Sequence, residues 1–265
     1  SDEEIKTEIK RLFPKSGPTI SRDFKSISNI KYQKKHTYPN NTLSFTEIFL
    51  NEFKHSISKE WSFAKKIIFI RHFKTNKNDG TFLGQGRNPS IVKINLDIES
   101  YEPVSKVYSS PLKRCAESAN LIYQNKDVIF DNRLLEFNYG EAEGLSYDTL
   151  IKHHPEINAN WRDGKDPNFP NGENTQDVSV RLNSFMDSLS GIILNDDHPV
   201  SIITHNGVIR CLLGNAYGLN LSEWYKLKIP HGVELEFLYL DNKFFPNIPR
   251  QLLFEIFENI GFKSK

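Results

Sequence analysis

The tetrapeptide Ile67-Ile68-Phe69-Ile70, followed directly by Arg71-His72, decides the predicted fold. An apolar run that stops at a cation and an imidazole predicts a buried strand that delivers both groups to its carboxyl end. A second apolar run, residues 200–204, ends at His205-Asn206-Gly207. Open α/β sheets bind ligands beyond the carboxyl ends of their strands. The two histidines therefore predict one anion-binding site at a shared sheet edge.

From Lys66 onward, strand and helix patterns alternate along the chain. The strand candidates are 67–70, 106–109, 128–130, 200–204 and 234–240, and the helix candidates lie near 111–124, 146–155, 175–194, 207–218 and 248–262. This alternation predicts a three-layer α/β/α sandwich with a mostly parallel central sheet. Ser110 is the expected N-cap of the first of these helices, and Pro111 is expected in its first turn.

Residues 1–65 differ from the rest and are predicted to form a mainly helical N-terminal extension. Ile5, Ile9 and Leu12 form a short helical stripe, and an apolar pattern between Phe45 and Phe53 suggests a second amphipathic helix. Two helices and a polar linker make a poor independent core. We therefore expect the extension to pack on the domain of residues 66–265, or to belong to a larger protein.

Composition places the 265-residue chain among ordinary soluble globular proteins, with 38% hydrophobic and 25% charged residues. The net charge of +1 is no nucleic-acid signature, although the N-terminal segment is the more basic part. No apolar run approaches the roughly 20 residues of a membrane-spanning helix. The first residues do not have the features of a signal peptide, and the two cysteines are expected to be buried free thiols. We expect a cytoplasmic protein.

Arginine and histidine at this sheet edge predict phosphate chemistry. A phosphate dianion needs several fixed N–H donors, and the planar guanidinium of arginine matches two of its oxygens. Arg114 lies in the first turn of the helix after strand 106–109, so it is expected to join Arg71, His72 and His205. The positive field would depress the pKa of His72 and favour its nucleophilic form. Glu136 is the candidate to protonate the leaving alkoxide and later to deprotonate water.

Other motif interpretations fail. Gly84-Gln85-Gly86 begins like a dinucleotide fingerprint, but Pro89 stands where the third glycine belongs and no strand precedes the loop. The sequence has no Walker A motif, no nucleophile-elbow serine and no paired-cysteine zinc motif.

Taken together, these segments resemble the histidine phosphatase superfamily, also called phosphoglycerate mutase-like, in its branch 1. The motifs that carry the resemblance are RHFKTNKN at 71–78, GQG at 84–86, SSPLKR at 109–114, LLEFNYGEAEG at 134–144 and THNGVIR at 204–210. The resemblance implies a phosphatase in which His72 is the phosphorylated nucleophile, Glu136 is the acid/base, and Arg71, Arg114 and His205 hold the phosphoryl group. It further implies substrate contacts from Thr75, Asn78, Gln85, Gly86 and Asn206. We expect no metal and no cofactor, because arginine and histidine neutralise the phosphate.

The motifs depart from the family pattern at two positions. Phe73 and Asn206 each replace a glycine, and we expect the Phe73 side chain to point away from the pocket rather than to narrow it. The compact span between His72 and His205 favours hydrolysis of a small phosphorylated metabolite, such as a sugar phosphate, over a phosphoglycerate-type mutase reaction. A phospho-ligand-binding protein with weakened catalysis is the third alternative. The substrate's identity and the oligomeric state stay open.

Overall fold

The computed structural model describes residues 64–193, 198–240 and 243–260. These residues form a six-stranded sheet in the order β3-β2-β4-β1-β5-β6. Strands β3, β2, β4 and β1 run parallel, whereas β5 and β6 pair antiparallel at the other side. The strands are β1 (Lys65–Arg71), β2 (Lys106–Ser109), β3 (Val128–Phe130), β4 (Val200–Thr204), β5 (Glu234–Leu240) and β6 (Lys243–Pro246).

The α-helices cover both faces of this sheet. They are α1 (Lys113–Ile122), α2 (Tyr147–His153), α3 (Pro155–Arg162), α4 (Thr175–Ile193), α5 (Asn206–Ala216), α6 (Leu221–Trp224) and α7 (Arg250–Phe257). Within the described residues, no helix is both long and apolar enough to span a bilayer.

Alternation along β1 explains why there are three layers. Ile67 and Phe69 belong to the larger apolar cluster, which α4, α5 and α7 complete, and Phe69 meets Phe237 edge to face. Ile68 and Ile70 belong to a second cluster with residues of α1. Because successive side chains of a strand point to opposite faces, one wholly apolar strand needs helices on both sides. The predicted α/β/α sandwich is confirmed.

Several local predictions need correction. Helix α1 begins at Lys113 with Leu112 as its N-cap, so Ser110 is not the cap and Pro111 precedes the helix. Strand β6 and the short helix α6 were not predicted from the sequence. The helix predicted near 146–155 is α2, which ends at His153. Helix α3 follows directly, because Pro155 in its first turn starts a new helix. The two helices predicted before residue 64 lie outside the described residues.

Candidate functional site

Three neighbouring strands deliver the predicted site residues to one edge. Arg71 is in register with Thr204 of β4, and the amide of His72 donates to the Thr204 carbonyl at 3.0 Å. From β2, the amide of Ser110 donates to the Ile203 carbonyl at 3.0 Å. The ring centres of His72 and His205 are consequently 5.3 Å apart. Residues that are far apart in sequence meet because β1, β4 and β2 are parallel neighbours.

Two arginines, the buried Arg114 and the half-buried Arg71, lie at this edge without an ion pair among the described residues. Arg114 is fully buried, and its terminal nitrogens donate to the carbonyls of Gly84 at 2.8 Å and Arg87 at 3.3 Å. Arg71 donates from Nη1 to the Ile229 carbonyl at 2.7 Å. In the described part of the chain, neither guanidinium forms an ion pair and both Nε atoms lack a hydrogen-bond partner. Burial lowers the pKa of Arg71 to about 10, which still leaves it charged at neutral pH.

The tautomer of His72 is set by its neighbour. Nδ1 lies 2.7 Å from the Phe73 carbonyl, which can only accept, so Nδ1 carries the proton. The other ring nitrogen, Nε2, therefore keeps its lone pair. Burial, reinforced by the charge of Arg114, holds the pKa of His72 well below its usual value. His72 is thus neutral at physiological pH, as a nucleophile must be.

His205 is fully buried and contacts two residues of the β2–α1 region. Its Nε2 lies 2.8 Å from Oγ of Ser110 and 3.3 Å from Sγ of Cys115. Burial and the charge of Arg114 hold the pKa of His205 well below its usual value. The sequence predicts Ser110 as a helix cap, whereas its hydroxyl is a partner of His205. The capping preference of serine hid this second use.

Glu136 lies between the phosphate-site residues and the start of helix α5. Its carboxylate accepts from the amide of Gly207 at 3.1 Å and from the amide of Phe137 at 3.0 Å. Its backbone carbonyl accepts from Gln85 at 2.8 Å and from Arg181 at 3.1 Å. Only 4% of Glu136 is exposed, so the carboxylate is held from several sides. Arg181 had no motif to draw attention to it.

The five residues predicted to contact substrate lie on three segments. Thr75 and Asn78 form a turn in which Oδ1 of Asn78 accepts from the Thr75 amide at 2.7 Å. Gln85 holds the Glu136 carbonyl, and the amide of Gly86 donates to Glu143 at 3.3 Å. Asn206 begins helix α5, and its Oδ1 is buried with no partner among the described residues.

Phe73 turns its ring into the core. The residue is 6% exposed and belongs to the apolar cluster that contains Ile68 and Ile70. Its ring packs so closely on Gly232 that a Cβ atom there would overlap it, and Gly232 has a φ of +70°. The Phe73 ring fits in this place because Gly232 has no side chain.

The segment around Gly232 also contains a histidine that sequence analysis missed. Nδ1 of His231 lies 2.8 Å from the His72 carbonyl, so it donates to the backbone of the candidate nucleophile. The ring centres of the two histidines are 5.4 Å apart. Burial and the charge of Arg71 lower the pKa of His231 to about 4. His231 follows no predicted strand, and no recognised motif includes it.

A cavity of about 390 Å³ opens beside Glu136. Phe137 and Gly207, whose amides donate to the Glu136 carboxylate, line it, together with Arg210, Trp161 and Trp224. The volume is in the range of small-molecule sites.

Comparisons with known proteins identify the family of the chain. A family model described as "Histidine phosphatase superfamily (branch 1)" matches residues 97–245, more than half of the chain. "Phosphoserine phosphatase 1" of Hydrogenobacter thermophilus is 25% identical over 170 residues, covering 60% of this chain and 80% of the relative. "Probable phosphoglycerate mutase GpmB" of Escherichia coli is 29% identical over 171 residues, covering 58% of this chain and 75% of the relative.

A solved structure shares the fold. It is a mutant phosphoserine phosphatase from Entamoeba histolytica in complex with phosphoserine, with a TM-score of 0.58 and 18% sequence identity. The match covers 69% of this chain and 94% of that chain. At this identity the likeness concerns the fold.

Proposed function

Because the chain belongs to the histidine phosphatase superfamily (branch 1), we propose that it hydrolyses phosphate monoesters through a phosphohistidine on His72. As a member of this family the chain is a phosphatase. The phosphohistidine route and the kind of substrate are what we propose. The substrate is a small phosphorylated metabolite. A relative named for phosphoserine and a fold neighbour holding phosphoserine support this size class.

One observation carries the proposal: the buried guanidinium of Arg114 and the half-buried guanidinium of Arg71 lie at the same sheet edge as His72 and His205, and among the described residues neither cation has an ion pair. Leaving buried charge uncompensated is costly. A bound phosphoryl dianion would supply the missing charge and accept from the unpaired Nε atoms of Arg71 and Arg114. His205 would donate to the same group, with smaller contributions from Thr75, Asn78 and the amide of Asn206.

In the first step, Nε2 of His72 attacks phosphorus. A nitrogen–phosphorus bond forms, the ester oxygen–phosphorus bond breaks, and Glu136 gives its proton to the departing oxygen. The Phe73 carbonyl prepares this step, since it keeps the ring proton on Nδ1 and leaves Nε2 as the nucleophile. The proton from Glu136 contributes about 10²–10⁴ in rate for a poor leaving group.

In the second step, water attacks the phosphohistidine. Glu136, now ionised, takes a proton from the water as the nitrogen–phosphorus bond breaks and inorganic phosphate leaves. The amides of Gly207 and Phe137 hold the carboxylate in place through both steps. Gln85 and Arg181 hold the backbone of the same residue, so they act as positioning residues.

The test is rapid-quench labelling of the full chain with radiolabelled p-nitrophenyl phosphate, whose leaving group needs little protonation. We expect an acid-labile, base-stable phosphoenzyme that disappears in His72→Ala and accumulates relative to turnover in Glu136→Gln. Lys126→Ala, a change at a surface turn, is the control and should leave labelling unchanged. Undiminished hydrolysis in His72→Ala would exclude the phosphohistidine route.

The same samples test the two alternatives. Isomerisation of a phosphoglycerate with negligible phosphate release would identify a mutase. Tight phosphate binding without any phosphoenzyme would identify a phospho-ligand-binding protein.

A further inference from the structure

The cavity beside Glu136 is positioned to receive the leaving group. Gly207 lines it, and the amide of this residue holds one oxygen of the Glu136 carboxylate at 3.1 Å. Phe137, the next residue after Glu136, lines it too. If Glu136 protonates the ester oxygen, as in the proposed function on which this inference rests, the remainder of the leaving group extends into this space.

One wall of the cavity is a continuous series of aromatic rings. Phe137 stacks on Tyr139 at a centroid distance of 5.7 Å and an interplanar angle of 9°. Tyr139 meets Phe169 edge to face at 4.8 Å, and Phe169 meets Trp161 at 5.5 Å. Trp161 lies nearly parallel to Tyr147, with their ring centres 6.3 Å apart. The wall therefore runs from Phe137, the residue after Glu136, to Trp161 and Tyr147.

Much of the neutral and acidic polar lining is already used within the protein. Both carboxylate oxygens of Asp166 accept from backbone amides at the start of α4, at 2.9 and 2.8 Å. Oδ1 of Asn174 accepts from the amide of Asp177 at 2.9 Å, and Oδ1 of Asn158 accepts from the hydroxyl of Tyr147 at 2.7 Å. A sugar needs many unoccupied donors and acceptors around its hydroxyl groups. The oxygens of Asp166, Asn174 and Asn158 are thus already engaged within the protein, whereas the aromatic wall presents its surface to the cavity.

Arg210 is the exception. Its Nε donates to the Leu227 carbonyl at 2.8 Å. Across the described residues its two terminal nitrogens have no hydrogen-bond partner and no ion pair, although the guanidinium lines the cavity. Lys226 and Arg162 add further positive charge to the lining, against Asp166 alone. The cavity thus combines flat apolar surface with an unoccupied planar cation.

We propose that the substrate is a phosphate monoester whose leaving group carries an aromatic ring, packed on the wall from Phe137 to Trp161, and an anionic substituent bound by Arg210. Aromatic rings stack favourably on such faces, and a guanidinium binds a carboxylate through two parallel hydrogen bonds. Hydrolysis itself follows the two steps already described.

Three phosphate monoesters test this: 4-carboxybenzyl phosphate, 4-carbamoylbenzyl phosphate and glucose 6-phosphate. The two benzyl esters have the same shape and similar leaving groups, so their difference isolates the anionic charge. We expect kcat/KM for the carboxylate to exceed that for the amide by about tenfold or more, since a charge-assisted hydrogen bond is worth roughly that factor. Both benzyl esters should exceed glucose 6-phosphate.

Variants test whether Arg210 binds the anionic substituent and whether Trp161 packs on the aromatic ring. Arg210→Gln should reduce the carboxylate-to-amide ratio to near one, and Arg210→Lys should restore part of it, which a folding defect would not do. Trp161→Leu should lower kcat/KM for both benzyl esters about tenfold relative to glucose 6-phosphate. Lys165→Gln removes an exposed cation outside the cavity and is the matched control.

Two results would overturn the inference but not the proposed function. One is that glucose 6-phosphate has the highest kcat/KM of the three esters. The other is that a folded Arg210→Gln protein has the same carboxylate-to-amide ratio as the wild type. Failure to hydrolyse any of the three esters or p-nitrophenyl phosphate, with no phosphoenzyme, would refute the proposed function and this inference with it.

Discussion

Gly207→Ala tests whether the position of the Glu136 carboxylate controls catalysis. A Cβ atom at this position would lie 2.5 Å from Cδ2 of the Phe137 ring and closer still to Oε1 of Glu136. Ordinary carbon contacts are about 3.5–4.0 Å, so the ring or the carboxylate must move by about 1 Å. A misplacement of that size can cost about 10²-fold in rate. We therefore expect phosphoenzyme formation from an alkyl phosphate to slow about 10²-fold.

The leaving group separates this effect from general damage. p-Nitrophenolate departs with little protonation, so phosphoenzyme formation from p-nitrophenyl phosphate should slow less than tenfold in Gly207→Ala. Single-turnover rapid quench measures this step directly, without the later hydrolysis. Gly191→Ala is the matched control, because it changes an exposed glycine of helix α4 where a Cβ meets nothing within 4 Å. If Gly207→Ala formed the phosphoenzyme from the alkyl phosphate as fast as the wild type, the position of the Glu136 carboxylate would not control catalysis.

Three further predictions follow from neighbouring contacts. Phe73→Ala should lower the free energy of unfolding by about 3 kcal/mol in urea titrations, because it empties core space beside Gly232, and a loss below about 1 kcal/mol would contradict that packing. His231 has a pKa of about 4 in the folded protein, below the ordinary 6.5, so the unfolded chain takes up its proton first and the wild type loses stability as pH falls from about 6.5 to about 4. In guanidinium titrations, the free energy of unfolding of His231→Gln should fall less over this pH window than that of the wild type. An identical pH dependence in the two proteins would contradict the lowered pKa of His231. Arg181→Ala should lower kcat about tenfold through the Glu136 backbone, with the inhibition constant for vanadate unchanged within about threefold, and equal losses in both would indicate general damage instead.

The fold was largely predictable because its signals are local. Hydrophobic runs such as residues 67–70 and 200–204 match the observed strands β1 and β4 closely. The run at 67–70 is apolar at every position and does not alternate with polar residues. Both faces of this strand must therefore be covered, and the two apolar clusters cover them. The start of helix α1 was mispredicted because serine and proline favour a helix start, whereas Leu112 is the N-cap and the hydroxyl of Ser110 lies beside His205.

The sequence by itself determined which chemical groups the protein brings to one sheet edge, since strand direction and motif order suffice to place Arg71, His72 and His205 there. Only the tertiary structure decided the packing of Phe73 on Gly232, the approach of His231 and the aromatic cavity beside Glu136. The physical reason is distance along the chain. A strand and its turn are encoded by adjacent residues, whereas a pKa, a close packing contact or a cavity wall depends on groups that become neighbours only after the chain has folded.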